Sequence, residues 1–269
     1  MMRYLERDGA ALWFDDEGEG DPPLLFVHGF ACDHTHFAPQ IDRFAPRHRV
    51  VAVDLRGHGR SGAPQQEYTI EGYADDLAFL CRQLGLARPV VVGHSMGGLV
   101  TAVLGRRHPE VPGGLMILDS AVVPKPVLLE GLVGWADEMR AVDYAERLVG
   151  VSDAFFLPSS DPGLKQRIQG GMWAPQHVLV SSAEHMATFV AAAAAGGDAD
   201  LVASWTVPVC YVAGPWHMND VERFVALRPD VVMGQTVGSG HYVTLEVPDQ
   251  IGAMIERFLE LVSAGCPGR

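Results

Sequence analysis

A serine flanked by glycines two residues away on either side, in Gly93-His94-Ser95-Met96-Gly97-Gly98, follows directly on the apolar run Pro89-Val90-Val91-Val92. That spacing suits a nucleophile. A side chain presented from the end of a strand sits on a sharp backbone turn, and flanking residues without a Cβ let the strand and the following helix pass closely. Gly98 gives further room, Leu99-Val100-Thr101-Ala102-Val103-Leu104 supplies the helix, and the Met96 N–H at its start would point where an oxyanion forms. The chemistry implied is attack by Ser95 on a carbonyl carbon. A serine hydroxyl is weakly nucleophilic at neutral pH, so an imidazole must take its proton and return it to the leaving group, oriented by a carboxylate.

The elements that must position such groups alternate along the chain. Strand-like runs occupy Ala10 to Phe14, Leu24 to Val27 ending at His28-Gly29, Arg49 to Val53 ending at Asp54, and Gly114 to Leu118 closing on Asp119. Between Tyr68 and Leu84, the residues Ile70, Tyr73, Ala74, Leu77, Leu80, Cys81 and Leu84 recur at helical spacing. From Val122 to about Val202 the pattern is helical, with stretches at Leu128 to Val149, Leu164 to Met172 and Gln176 to Ala195. Val207 to Gly214 and Val231 to Val237 restore strands, Ile251 to Val262 is an amphipathic helix, and Ala264 to Arg269 reads as a frayed tail. The expected fold class is α/β: a mostly parallel sheet flanked by helices, with a core over residues 1–120 and 203–269 and a helical cap over 121–202.

Composition narrows the partners. At 269 residues, with 48% hydrophobic and 20% charged residues, the chain reads as an ordinary globular protein. A formal charge of −13 with scattered basic residues argues against nucleic acid, which requires concentrated positive charge. No signal peptide and no uninterrupted apolar run of membrane-spanning length is read, so the expectation is a cytoplasmic protein that does not engage a membrane. Cys32, Cys81, Cys210 and Cys266 form no C-x-x-C pair and are expected to be reduced thiols, not a disulfide framework or zinc site.

Three ordered motifs extend the elbow: His28-Gly29-Phe30, Asp54-Leu55-Arg56-Gly57-His58-Gly59-Arg60-Ser61, and a late Gly238-Ser239-Gly240-His241. Together they resemble the α/β-hydrolase superfamily over essentially the whole chain, the first as its oxyanion loop, the second as its D-x-R-G-x-G-x-S turn and the third as its histidine loop. The resemblance implies Ser95 as nucleophile, His241 as general base, and the Phe30 and Met96 amides as oxyanion donors. His28 and His58 are then structural, while His94 would face away from the Ser95 hydroxyl on the elbow and is kept as a substrate contact. The acid departs from the commonest arrangement: three residues after Gly214, where most relatives place an aspartate, stands His217. Asp119 is favoured, since a minority of relatives supply the acid after the nucleophile's neighbouring strand. Asp220, six residues after Gly214, is the alternative.

The expected function is hydrolysis of a carboxylic ester or lactone of small to medium, partly apolar character through an acyl-enzyme, with no metal or organic cofactor. Carbon–carbon bond hydrolysis, thioester hydrolysis, perhydrolysis and lyase chemistry share the triad, whereas dehalogenase and epoxide hydrolase readings call for an aspartate where Ser95 stands. A ligand receptor on the same scaffold is the alternative of another class, motivated by His217. Phe30, His94, Trp135, Met139, Trp173 and Trp216 are the candidate substrate contacts, and a monomer or homodimer is expected. Asp54 and Arg56 are read as ties within a loop, and the loop pair His34 and His36 as a weak metal signal.

Overall fold

The computed structural model describes residues 3–125, 128–216 and 218–264. His217, Cys266 and the rest of the expected tail from residue 265 onward lie outside them. The strands are β1 (Arg3–Arg7), β2 (Ala10–Glu17), β3 (Leu24–Val27), β4 (Val50–Val53), β5 (Val90–His94), β6 (Gly114–Leu118), β7 (Val209–Ala213) and β8 (Val232–Gln235). They form one eight-stranded sheet in the order β1-β2-β4-β3-β5-β6-β7-β8. β1 and β2 join by an antiparallel pairing, β2 meets β4 antiparallel, and every other pairing is parallel.

Parallel strands covered on both faces should be apolar throughout. β3, β4, β5, β6 and β7 are buried at every position. Alternate residues serve opposite layers. Leu25, Val27, Val51, Val53 and Val91 pack toward α2 (Ile70–Leu84) and α3 (Met96–Arg107), after α1 (Ala38–Phe44) on the other side. Leu24, Phe26, Val50, Val90 and Val92 pack with Phe44 of α1 and with Ile255 and Phe258 near the C-terminus. Thr69 starts α2 by accepting from the Gly72 N–H, and Gly85 ends it in the left-handed region at φ 61°.

Between β6 and β7 the described chain is helical: α4 (Leu128–Arg140), α5 (Tyr144–Asp153), α6 (Pro162–Gly171), α7 (Gln176–Ala192), a π-turn over Ala193–Gly197, and α8 (Asp198–Ala203). The helices α9 (Val221–Leu227), α10 (Val243–Glu246) and α11 (Pro248–Ser263) complete the core. The 28-residue stretch Gln176–Ala203, which contains an 18-residue window of mean hydropathy 1.4, is long and apolar enough to cross a membrane by length and composition, although charged and polar residues interrupt it. Here it is kinked at Gly196 (φ 107°), and it packs on α4 and α2 through buried Val178, Leu179, Ala183, Met186 and Val190.

The register places the site. Val27 pairs with Gly93, Gly93 with Ile117 and Leu118 with Val212, so β3, β5, β6 and β7 end level with one another. The turns carrying Gly29, Ser95, Asp119 and Gly214 therefore emerge along one edge, at the carboxyl ends of the strands where α/β folds form their crevices.

Candidate active site

Ser95 occupies the turn between β5 and α3 with φ 55° and ψ −122°, outside the regions open to most side chains. The neighbouring glycines permit it. A Cβ on Gly93 would stand 2.1 Å from the Gly97 carbonyl oxygen, and one on Gly97 would stand 2.2 Å from that of Val27. The turn is held by the Ser95 N–H donating to the Leu118 carbonyl at 3.0 Å, and by Gly98 N–H donating to the Ser95 carbonyl at 2.8 Å. The Gly29-Phe30 turn lies directly against it, since a Cβ on Gly29 would be 3.1 Å from the Ser95 Cβ. Met96 opens α3, where first-turn amides lack partners within the helix.

His241 lies on the loop after β8, and its Nδ1 donates to Asp119 Oδ2 at 2.7 Å. That proton assignment follows because a carboxylate only accepts, and it leaves Nε2 as the basic nitrogen. Asp119 is wholly buried, and its Oδ1 accepts from the Gly214 N–H at 2.9 Å. Gly214 must lack a side chain, for a Cβ there would meet Asp119 Oδ2 at 2.4 Å. Asp220 is placed elsewhere: it caps α9, accepting from the Arg223 N–H at 3.0 Å. The structure thus brings Asp119 and not Asp220 to His241.

The histidine loop is gripped from two sides. From the core, His94 Nε2 donates to the His241 carbonyl at 2.7 Å, with ring centroids 4.7 Å apart. Burial, followed by the neighbouring His241, holds His94 well below the usual imidazole range, so it is neutral. From the cap, the Phe155 carbonyl accepts the His241 N–H at 2.8 Å while its ring lies against the imidazole at 4.7 Å. The sequence offers His94 and Phe155 only as pocket residues and gives no sign of their grip on the histidine loop, because hydrogen bonds to a backbone carbonyl or amide leave no residue-type signature.

Two spaces of unequal size meet at Ser95 and His241. One, about 30 Å³, is lined by Phe30 and His94 with Cys32, Leu148, Met172 and Tyr242 among others. The other, about 290 Å³, is lined by Leu99, Ala121, Leu132, Met186, Val190 and Met218 along with Met96 and Asp119. Trp135 and Phe155 border both. Neither space is lined by Arg or Lys among the described residues.

Three expected contacts fall away. Met139 is fully buried within the hydrophobic core and reaches neither space. Trp173 is 56% exposed, its N–H donating to the Ala31 carbonyl, and Trp216 is 40% exposed with its ring edge-on to Phe155 at 6.4 Å. An aromatic in a cap-like stretch gives no sign in sequence of whether it faces in or out.

The second motif ties loops together. Asp54 accepts from the His34 N–H at 2.8 Å, His34 Nδ1 at 2.7 Å and the Arg60 N–H at 3.0 Å. Burial would raise its pKa, but the His34 hydrogen bond and nearby charge outweigh it and hold the carboxyl below the usual range. Arg56 forms a fork on buried Asp76 at 2.7 and 2.8 Å. The metal signal assigned to His34 and His36 takes a different form: His34 gathers with Asp33 and Asp54, while His36 is buried in the 3-10 turn His34–Phe37. His28 Nε2 accepts from the Leu55 N–H at 3.0 Å, and His58 Nδ1 donates to the Arg56 carbonyl at 3.1 Å. Cys32, Cys81 and Cys210 are buried free thiols.

A strained serine turn, a buried histidine–aspartate pair and level strand ends define the architecture of a hydrolase. The chain belongs to the alpha/beta hydrolase fold family, whose profile matches residues 22–189. A 2-(acetamidomethylene)succinate hydrolase of Mesorhizobium japonicum is 28% identical over 276 residues, spanning 97% of this chain and 95% of that protein. The structure of a thermophilic esterase from Thermogutta terrifontis, with malate bound, superposes with a TM-score of 0.81 at 26% identity, covering 97% of this chain and 99% of that one. An N-acyl homoserine lactone degrading enzyme gives a TM-score of 0.76 at 26% identity, covering 95% and 100%.

Proposed function

We propose that this hydrolase cleaves uncharged carboxylic esters or lactones through an acyl-enzyme on Ser95. The observation that carries the reading is the 2.7 Å bond from His241 Nδ1 to buried Asp119 beside a serine held at φ 55°. Ser95 Oγ attacks the carbonyl carbon as His241 Nε2 takes its proton, and the oxyanion accepts from the Phe30 and Met96 amides. The carbon–oxygen bond to the alcohol then breaks while His241 returns that proton to the leaving oxygen. Water repeats the sequence: His241 takes its proton, the acyl–serine bond breaks, and the acid leaves as Ser95 is reprotonated.

The apolar lining supports an uncharged substrate. The relative named for a succinate acts on an anion, and an anion entering an apolar space needs a cationic partner to offset its desolvation. Neither space offers one among the described residues. The esterase and the lactone-degrading neighbours support ester or lactone chemistry. Ser95→Ala is expected to lower kcat by about 10⁴ or more and to abolish labelling by a fluorophosphonate. Retained activity in that variant would overturn the nucleophile assignment.

A further inference from the structure

We infer that substrate choice is set by size on two unequal sides of Ser95, and that Trp135 with Phe155 is the wall between them. The inference rests on the reading of Ser95 as nucleophile. These two aromatics border both spaces, and their rings meet edge to face with centroids 5.4 Å apart at 89°. The Phe30 ring closes on Trp135 from the oxyanion side at 6.0 Å. A carbonyl carbon bonded to Ser95 Oγ must therefore send one substituent to each side of this wall.

The sides differ about tenfold in room. The smaller, about 30 Å³ and backed by Leu148, Met172 and Tyr242, takes only a short arm. The larger, about 290 Å³ and lined by Leu99, Leu132, Met186, Val190 and Met218, takes a phenyl group or a short alkyl chain. The substrate class is an ester with one short arm and one bulky apolar arm. An acetate of a bulky alcohol and a methyl ester of a bulky acid both obey that rule. An ester bulky on both sides does not.

The test compares 2-phenylethyl acetate, methyl 3-phenylpropanoate and 2-phenylethyl 3-phenylpropanoate on the full chain. The better of the first two should exceed the third in kcat/KM by about 100-fold or more, and which of them is better tells whether the acyl or the alcohol arm fills the larger space. Trp135→Ala, chosen because Phe155 also rests on His241, should shrink that preference to about tenfold or less by raising turnover of the doubly bulky ester. If this variant fails to fold, Leu148→Ala enlarges the smaller side from behind and must give the same narrowing. A wild type that takes the doubly bulky ester within tenfold of the others overturns the inference, as does failure to cleave either one-sided ester, or an unchanged preference in a variant that melts like wild type. Fluorophosphonate labelling of Ser95 separates the failures: labelling with a flat size profile sinks the wall alone, and no labelling sinks the hydrolase reading beneath it.

Discussion

Around Ser95 the floor of the site is fixed by backbone, whereas its roof is made of side chains on helices. In the floor, Gly93 and Gly97 exclude any side chain within about 2 Å of neighbouring carbonyls, and Gly214 leaves its own Cβ position to the Asp119 carboxylate. In the roof, the larger space is bounded by flexible or exchangeable residues such as Leu132, Met186 and Val190. Packing of that kind tolerates substitution of similar volume, while a backbone contact does not. On the proposed mechanism the difference separates two tasks: the floor sets what reaction occurs, and the roof sets on what.

The sharpest break in that division would come from the acid. Asp119→Asn should lower kcat by about 10⁴, because the amide cannot hold His241 in its reactive tautomer or stabilise the imidazolium. Asp220→Asn should leave kcat within about twofold, since asparagine also caps helices. Equal loss in both variants would contradict the placement of the pair. Next comes the grip on the histidine loop. His94→Phe keeps a ring but strands the buried His241 carbonyl, and kcat should fall about 10- to 100-fold with KM little changed. His94→Gln, which restores a donor, should recover part of that loss; a rise in KM with kcat unchanged would instead return His94 to the substrate.

Acid should weaken the floor. Burial lowers His36 to about 4 and His58 to about 3, and it lowers His28 and His94 as well. Below the ordinary histidine pKa near 6.5 the unfolded chain gains protons that the folded chain refuses, so stability is full above that point and is lost as pH falls toward 4 and then 3. The loss should be roughly 2 kcal/mol for each of His36 and His58 at pH 5, read from urea melts at pH 7.5 and 5.0. An unchanged midpoint would contradict it. The smallest effect belongs to the roof's outer surface: Trp173→Ala should shift KM less than about twofold, as its side chain is 56% exposed and its backbone bond to Ala31 survives.

The same division governs what could be read from the residues. Ser95 announced itself because strain demands glycine at fixed spacing, and the strands around it because burial on both faces demands apolar runs. The sequence favours Asp119 but leaves Asp220 open, since spacing alone does not say which carboxylate a loop turns inward. The sheet edge β1 was not foreseen: Arg3–Arg7 carries two arginines and a glutamate, as suits an exposed edge strand, and no buried alternation marks it. The roof was legible as helices but not in its facing. Met139, Trp173 and Trp216 share their residue types with residues that do reach the site, and only the packing of α4 and its neighbours sorts them.

The Phe155 carbonyl that receives the His241 N–H comes from the helical segment between β6 and β7, while His94 holds the carbonyl of the same residue from the sheet. One histidine is thus clasped by both layers of the molecule. A substitution that displaces Phe155 would therefore reshape the pocket and shift the imidazole together.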